Sequence, residues 1–232
     1  MNEGLTQISE NSFANTKCLN EITLPSTLTN IPTFAFTGSA ISKINFGGVT
    51  SIGGEAFYNC DDYSLVDMSE SKITTIASFA FSSMKKTAFN TFITGSELTS
   101  FKDAFSTCGY INSFDMSKST KVTTIDSGFL GESSTYLKTL ILPSSLTELP
   151  HDTLGTFPKL TDLKFTGTVA QWNALMDNAI LTKQEKIDNP SWGEWFGSNY
   201  DTLTSITCNY GQSAETSYPV SIRDTKGKIS IS

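Results

Sequence analysis

Few side chains in this sequence are of a type that does chemistry, and their spacing narrows the field further. His151 is the only histidine and sits in Leu-Pro-His-Asp-Thr-Leu-Gly, with no cysteine or second histidine at ligand spacing. A zinc centre draws on three or four such ligands, so no metal is expected and His151 reads as a solvated loop residue. Any serine nucleophile would depend on that one base. Four cysteines remain. Cys18, Cys60 and Cys108 each follow a phenylalanine (Phe13, Phe57, Phe105), and Cys208 stands apart. Carboxylates are more numerous, and Asp67 with Asp115 is the best pair for general acid and base work.

A repeat has to position these groups. Pairs of the form apolar-x-x-apolar recur every 21 to 25 residues, at Leu5/Ile8, Leu28/Ile31, Val49/Ile52, Ile73/Ile76, Leu98/Phe101, Val122/Ile125, Leu146/Leu149 and Val169/Trp172. A bulky residue follows each second anchor: Phe13, Phe36, Phe57, Phe81, Phe105, Phe129 and then Leu154. Alanine precedes it at Ala35, Ala56, Ala80 and Ala104. Next comes an LxxIxL element, as in Leu19/Ile22/Leu24, Ile41/Ile44/Phe46 and Leu137/Leu140/Leu142, weakest at Phe89/Phe92/Thr94. An eighth copy, Leu203/Ile206/Cys208, follows a long interruption.

The last two apolar residues of LxxIxL lie two apart, which in a strand puts them on one face. A coil of some 23 residues cannot bury that face alone. It must stack on its neighbours, giving a solenoid with a parallel sheet along one side. The phenylalanines Phe13, Phe36, Phe57, Phe81, Phe105 and Phe129 are expected to point inward as a ladder. Pro25, Pro143, Gly47/Gly48 and Thr94/Gly95 fall where each strand must end.

This geometry constrains the chemistry. Coils stack at about 4.8 Å, so cysteines two coils apart stand about 10 Å from each other, beyond the roughly 7 Å limit for a disulfide. Free, buried thiols are expected, Cys208 included. Outward positions flank each middle strand residue: Glu21/Thr23, Lys43/Asn45, Leu65/Asp67, Thr91/Ile93, Ser113/Asp115, Thr139/Ile141, Asp162/Lys164 and Ser205/Thr207. Asp67 and Asp115 share a column but stand about 10 Å apart, just outside the window of roughly 5 to 9.5 Å used by glycosidase pairs. A sugar-cleaving solenoid is therefore the runner-up to a non-catalytic reading. The same face presents Leu65, Ile93 and Ile141 among Glu21, Asp67, Asp115, Thr139 and Asp162, and apolar groups rimmed by polar ones mark interaction sites.

From Ala170 to about Ile187 the pattern turns helical, with Trp172, Leu175, Met176 and Ala179 on one side. A capping helix is expected, with Trp172, Trp192 and Trp195 in the core of a cap covering 170–232, continuous with an array over 1–169 of about seven coils. Alternation on both sides of Asp-Thr-Lys-Gly (224–227) signals a hairpin. No equivalent cap precedes Leu5, so the chain reads as a piece of a longer protein or as one with a very short N-terminal cover. A net charge of -7 with 17% charged residues leaves no basic cluster for nucleic acid. No basic and apolar leader and no span of about 18 apolar residues occurs.

The stretches FANTKCLNEITLPSTLTNIPTFAF, VTSIGGEAFYNC and LKTLILPSSLTELP resemble the BspA-like bacterial surface leucine-rich repeats, whose repeat runs LxxIxxxAFxxCxxLxxIxLPxxL. The likeness spans about residues 5 to 169, and LKFTGTVAQWNAL with the later SITCNYG is similar to the segment that closes such arrays. The resemblance implies an α/β, β-rich, right-handed leucine-rich-repeat solenoid with one parallel sheet, short turns on the other side and a C-terminal cap. It also implies a secreted or surface-displayed monomer, without cofactor, that engages an extracellular protein or glycan of a host or neighbouring cell. No catalytic residues come with the family. A structural spacer within a larger surface protein is the other class of role.

Overall fold

The computed structural model describes residues 2–60, 65–84, 91–108, 110–126, 129–130, 135–149, 157–181, 203, 205–219 and 231. The chain winds into a β-solenoid in which each LxxIxL element contributes one strand. These are β1 (Glu21–Thr23), β3 (Lys43–Asn45), β5 (Leu65–Asp67), β7 (Thr91–Ile93), β8 (Ser113–Asp115), β9 (Thr139–Leu142), β10 (Asp162–Phe165) and β11 (Ser205–Cys208). From β5 to β11 they form one parallel sheet in sequence order, and β12 (Thr216–Pro219) closes its far edge antiparallel to β11. Strands β1 and β3 pair separately in the same register logic, Ile22 opposite Ile44. The central residues align coil by coil: Val66, Phe92, Phe114, Leu140, Leu163 and Ile206. All of these six are buried, as alternation within a strand requires. Even the weak motif of the third-element series, with Phe92 at its centre, makes a full strand.

A single sheet is too simple. A second parallel ladder runs through the apolar-x-x-apolar anchors: β2 (Asn30–Ile31), β4 (Ser51–Ile52) and β6 (Thr75–Ile76), extended by a bridge from Thr75 to Ser100. Threonine supports it from the residue before each strand or within it. Thr50 Oγ1 donates to Thr29 O at 3.1 Å, Thr74 Oγ1 to Thr50 O at 3.0 Å and Thr99 Oγ1 to Thr74 O at 2.9 Å. Each hydroxyl thus satisfies a carbonyl at the place where the chain bends, and β-branched residues favour the extended backbone there.

The phenylalanine ladder fills the interior. Phe13, Phe36, Phe57, Phe81 and Phe105 stack face to face with centroids 5.0, 5.2, 5.0 and 5.6 Å apart. Phe129 continues it edge-on against Phe101 and Phe114. A second stack, Phe92 on Phe114 at 5.4 Å, meets the first edge-on, with Phe92 4.4 Å from Phe105. Phe13 is only partly buried, whereas Phe36, Phe57, Phe81 and Phe105 are fully enclosed. Each turn around a ladder rung places two residues at positive φ, four apart: Asn11/Asn15, Phe34/Gly38, Glu55/Asn59, Phe79/Ser83 and Asp103/Thr107. That conformation costs a residue other than glycine roughly 1–2 kcal/mol, less for asparagine and aspartate. In return the turn aims its N–H groups along the solenoid axis. Phe36 N donates to Ala56 O, Gly38 N to Tyr58 O, Phe57 N to Ala80 O and Asn59 N to Ser82 O.

Helix α1 (Val169–Leu181) covers the array beyond β10. Thr168 and Gln171 form its capping box: Gln171 N donates to Thr168 Oγ1 at 3.2 Å, and Thr168 N to Gln171 Oε1 at 2.9 Å. Trp172 is fully buried, edge-on to Phe165 at 5.6 Å, and Leu175 and Met176 are buried beside it. His151, Leu154, Trp192, Trp195 and the Asp-Thr-Lys-Gly turn lie outside the described residues. Phe157 supplies a buried aromatic in the coil of Leu154, 6.0 Å from Phe129.

Candidate functional site

The outward side of the long sheet is two columns of side chains, because each three-residue strand turns its centre inward and its two flanks out. One column runs Leu65, Thr91, Ser113, Thr139, Asp162; the other runs Asp67, Ile93, Asp115, Ile141, Lys164, Thr207. Glu21/Thr23 and Lys43/Asn45 form matching rows on β1 and β3, joined by an exposed Lys43–Glu21 pair at 3.6 Å. The structure therefore brings Leu65, Asp67, Ile93 and Asp115 together on adjacent strands, with Thr139 and Asp162 farther along and Glu21 on the separate β1–β3 pair.

Exposure along these columns is uneven. Leu65 is 46% exposed, an apolar side chain standing in solvent. Ile93, one strand on in the other column, is half-buried. Ile141, expected to face solvent, is 4% exposed and drops out of the apolar patch. Its column neighbours are Asp115 and Lys164, and Lys164 lies back across the face. The ammonium reaches Asp162 Oδ2 at 3.1 Å and the Tyr210 ring at 4.6 Å. Burial draws the Lys164 pKa down, but the Asp162 carboxylate, with Tyr210 and Glu215, outweighs it and holds the ammonium above its usual range. The turn after β11 is tied down there, Tyr210 N to Phe165 O and Gln212 Nε2 to Thr166 O. The open part of the face therefore lies toward β5 and β7.

The acids are occupied by the backbone. Asp67 Oδ1 accepts from Ser69 N at 2.9 Å, Asp115 Oδ1 from Ser117 N at 2.7 Å, and Asn45 Oδ1 from Gly47 N at 3.0 Å. These are Asx turns, in which a short polar side chain closes the chain reversal after the strand. Ile93 lies between Asp67 and Asp115, leaving them two strands, about 10 Å, apart. The pair the sequence offered for sugar cleavage thus has a structural duty and too wide a gap.

The thiols are free, but not all are buried. Cys60 and Cys108 lie three residues after their phenylalanines, fully enclosed, and donate to Phe36 O (3.0 Å) and Phe81 O respectively. Cys18 is exposed. It stands five residues after Phe13, a different place in the coil, and Thr16 occupies the position equivalent to Cys60. That offset of two is visible in the sequence. Burial pushes the Cys108 thiol far up and the Cys208 thiol up to about 11. No cluster of histidine, cysteine and carboxylates suited to a metal occurs among the described residues. No helix among them is long and apolar enough to cross a membrane.

Comparison with known proteins gives one family. The pattern described as the BspA type leucine rich repeat region matches in six copies, over residues 1–104 and 87–178. Among solved structures, the chain is similar to a leucine rich cell surface protein from Faecalibacterium prausnitzii, at 15% identity and a TM-score of 0.35, over 68% of this chain and 62% of that one. It is similar also to the pneumococcal vaccine antigen PcpA, at 15% identity and a TM-score of 0.40, over 82% and 57%. The chain thus spans less than two thirds of either. No curated protein matches.

Proposed function

Because the chain belongs to the BspA-type leucine-rich repeat family, whose pattern runs through more than half of it, we propose that it is a non-catalytic module, surface-displayed or secreted, that binds an extracellular protein or glycan through its long sheet. We take the array over 1–169 and the cap over 170–232 as one continuous unit, acting as a monomer. The observation that carries this reading is Leu65, 46% exposed on β5 with half-buried Ile93 diagonal to it on β7. Asp67 and Asp115 rim the pair, and Glu21, Thr139 and Asp162 extend the polar frame. An apolar centre inside a polar rim is the pattern of a recognition patch.

A non-catalytic role fits the same residues. Asp67 and Asp115 accept backbone hydrogen bonds and lie too far apart for paired acid and base work. The test is a binding panel of immobilised matrix proteins and a glycan array, read with the unaltered chain and with Leu65→Glu combined with Ile93→Thr. The expected result is at least tenfold weaker capture of any ligand found, with an unchanged melting temperature. Equal capture by both proteins removes the sheet face from the function, and no ligand in either panel returns the chain to the role of a spacer.

A further inference from the structure

A second surface stands on the turns that carry the phenylalanine ladder, away from the sheet face. Of the two positive-φ columns in those turns, the second holds Asn15, Gly38, Asn59, Ser83 and Thr107, mostly small polar residues suited to such turns. The first holds Asn11, Phe34, Glu55, Phe79 and Asp103. Two aromatics and a glutamate thus occupy backbone positions that disfavour them. Phe79 is 46% exposed and Phe34 half-buried, so neither is placed to stabilise the core as the rungs beneath them do.

Backbone bonds fix the order of the column. Phe34 N donates to Gly54 O, Glu55 N to Ser78 O and Phe79 N to Asp103 O. Phe34, Glu55, Phe79 and Asp103 therefore follow one another coil by coil, above rungs spaced 5.2, 5.0 and 5.6 Å apart. The backbones of Phe34 and Phe79 accordingly stand about 10 Å apart, with Glu55 on the coil between them. Among the described residues, the Glu55 carboxylate has no ion pair. Asp103 follows on the next coil with the exposed Lys102 beside it in the chain, so Glu55 is the carboxylate on the coil between the two aromatics.

We propose that Phe34, Glu55 and Phe79 form a docking site for a basic segment of another protein, one arginine or lysine side chain seating between the two phenyl groups over Glu55. A cation bound there lies about 5 Å from each ring column, within the roughly 6 Å over which a ring face attracts it. The carboxylate supplies the opposite charge, and the chain's net charge of -7 steers a basic partner toward it. An anionic partner, a neutral glycan or a second copy of this acidic chain finds no such complement on this ridge.

The probe is a fluorescein-labelled hexa-arginine peptide, titrated by anisotropy against the full chain at low salt, with a hexa-glutamate peptide as control. Phe79→Asn changes no charge and suits the local backbone. It is expected to weaken hexa-arginine binding about two- to fivefold while holding or raising the melting temperature. Glu55→Gln is expected to weaken binding at least as much, and Glu148→Gln, the same charge change at an exposed position several coils away, to leave it within about twofold. Equal losses from Glu55→Gln and Glu148→Gln, or an unaltered affinity in Phe79→Asn, would reduce the attraction to diffuse charge and overturn the site. A fall in melting temperature for Phe79→Asn would make the ring structural and overturn it as well. Leu65→Glu leaves this ridge intact, so failure here and failure of the sheet-face reading are separable.

Discussion

Truncating one rung of the phenylalanine ladder should destabilise the protein by an amount set by how many neighbours that rung has. Phe57 is fully enclosed, stacked on Phe36 at 5.2 Å and on Phe81 at 5.0 Å, with Phe46 edge-on at 6.3 Å. Phe57→Ala removes these ring contacts and leaves a void, for a loss of about 3–5 kcal/mol, with the ring pairs, about 0.5–1.5 kcal/mol each, placing it at the top of that range. Phe13 is partly buried and stacks on one ring, Phe36, at 5.0 Å. Phe13→Ala should lose roughly 2 kcal/mol, from half the burial and one pair. Urea unfolding followed by circular dichroism, with midpoint and slope fitted separately, measures both. Total stabilities run from about 5 to 15 kcal/mol, so Phe57→Ala leaves a thin margin. Phe57→Leu against Phe13→Leu repeats the comparison where the alanine variant does not fold. Equal losses at the two positions would refute the idea that the ladder acts through neighbouring rungs.

Four further expectations follow from the described geometry. Native protein treated with a thiol reagent near neutral pH should label at Cys18 alone among the four cysteines, with Cys60, Cys108 and Cys208 reacting only after unfolding; labelling of Cys108 at the rate of Cys18 would contradict its enclosure. Because burial raises the folded-state thiol pKa, the stability tied to Cys208 and Cys108 is complete below the ordinary thiol range and is lost as pH climbs toward about 11 and beyond, so melting temperature should fall on the alkaline side more steeply than in a Cys108→Ser, Cys208→Ser variant. Asp115→Asn, which keeps an acceptor for Ser117 N, should fold with nearly unaltered stability while Asp115→Ala loses about 0.5–1.5 kcal/mol, and equal losses would remove the turn from its role. Gly47→Ala should lose at least about 2 kcal/mol, since its φ is +56 and the new Cβ would stand 2.1 Å from Leu24 O, whereas Gly211→Ala, at φ +75 but with nothing within 4 Å, should lose only about 1 kcal/mol.

Much of the fold was legible because the repeat samples one physical constraint many times. A phenylalanine or an LxxIxL residue must point inward in every coil, so seven noisy copies define one direction, and the strand centres from Ile22 to Ile206 follow from spacing alone. Features set by a single atom or by backbone angle were not legible this way. The anchors' second ladder rests on threonine hydroxyls bonding to the preceding coil, and threonine at these positions reads equally well as surface filler. Exposure on the outward face was legible as position but not as area: Ile141 and Leu65 each flank a buried strand centre, yet one is 4% and the other 46% exposed. Leu65 stands on the edge strand β5, whereas Ile141 lies on an interior strand beside Lys164, which is turned toward Tyr210 in a contact across 46 residues that no periodicity encodes. Cys18 shows the converse, an offset of two residues from its sister cysteines that was readable and that decides its exposure.

The solenoid geometry bears on the proposal that this chain recognises a partner and does no catalysis. Each coil contributes two outward positions per strand, and the neighbouring coil repeats them about 4.8 Å away, so groups can be arrayed only at fixed steps along the sheet. Reaction chemistry needs several groups converging on one atom from different directions within a water-excluding cleft, and Asp67 and Asp115 instead point along their own turns to Ser69 N and Ser117 N. A repeated step is well matched to a ligand with its own repeat, such as an extended peptide or a glycan chain, whose units can engage successive coils. On this reasoning, affinity should grow with ligand length up to the span of the open strands β5 to β8 and then level off, since beyond them Lys164 and the turn after β11 cover the face. Titration of any ligand identified by the binding panels, cut to increasing lengths, measures this directly; affinity independent of length would place recognition in a single pocket and contradict the columnar site.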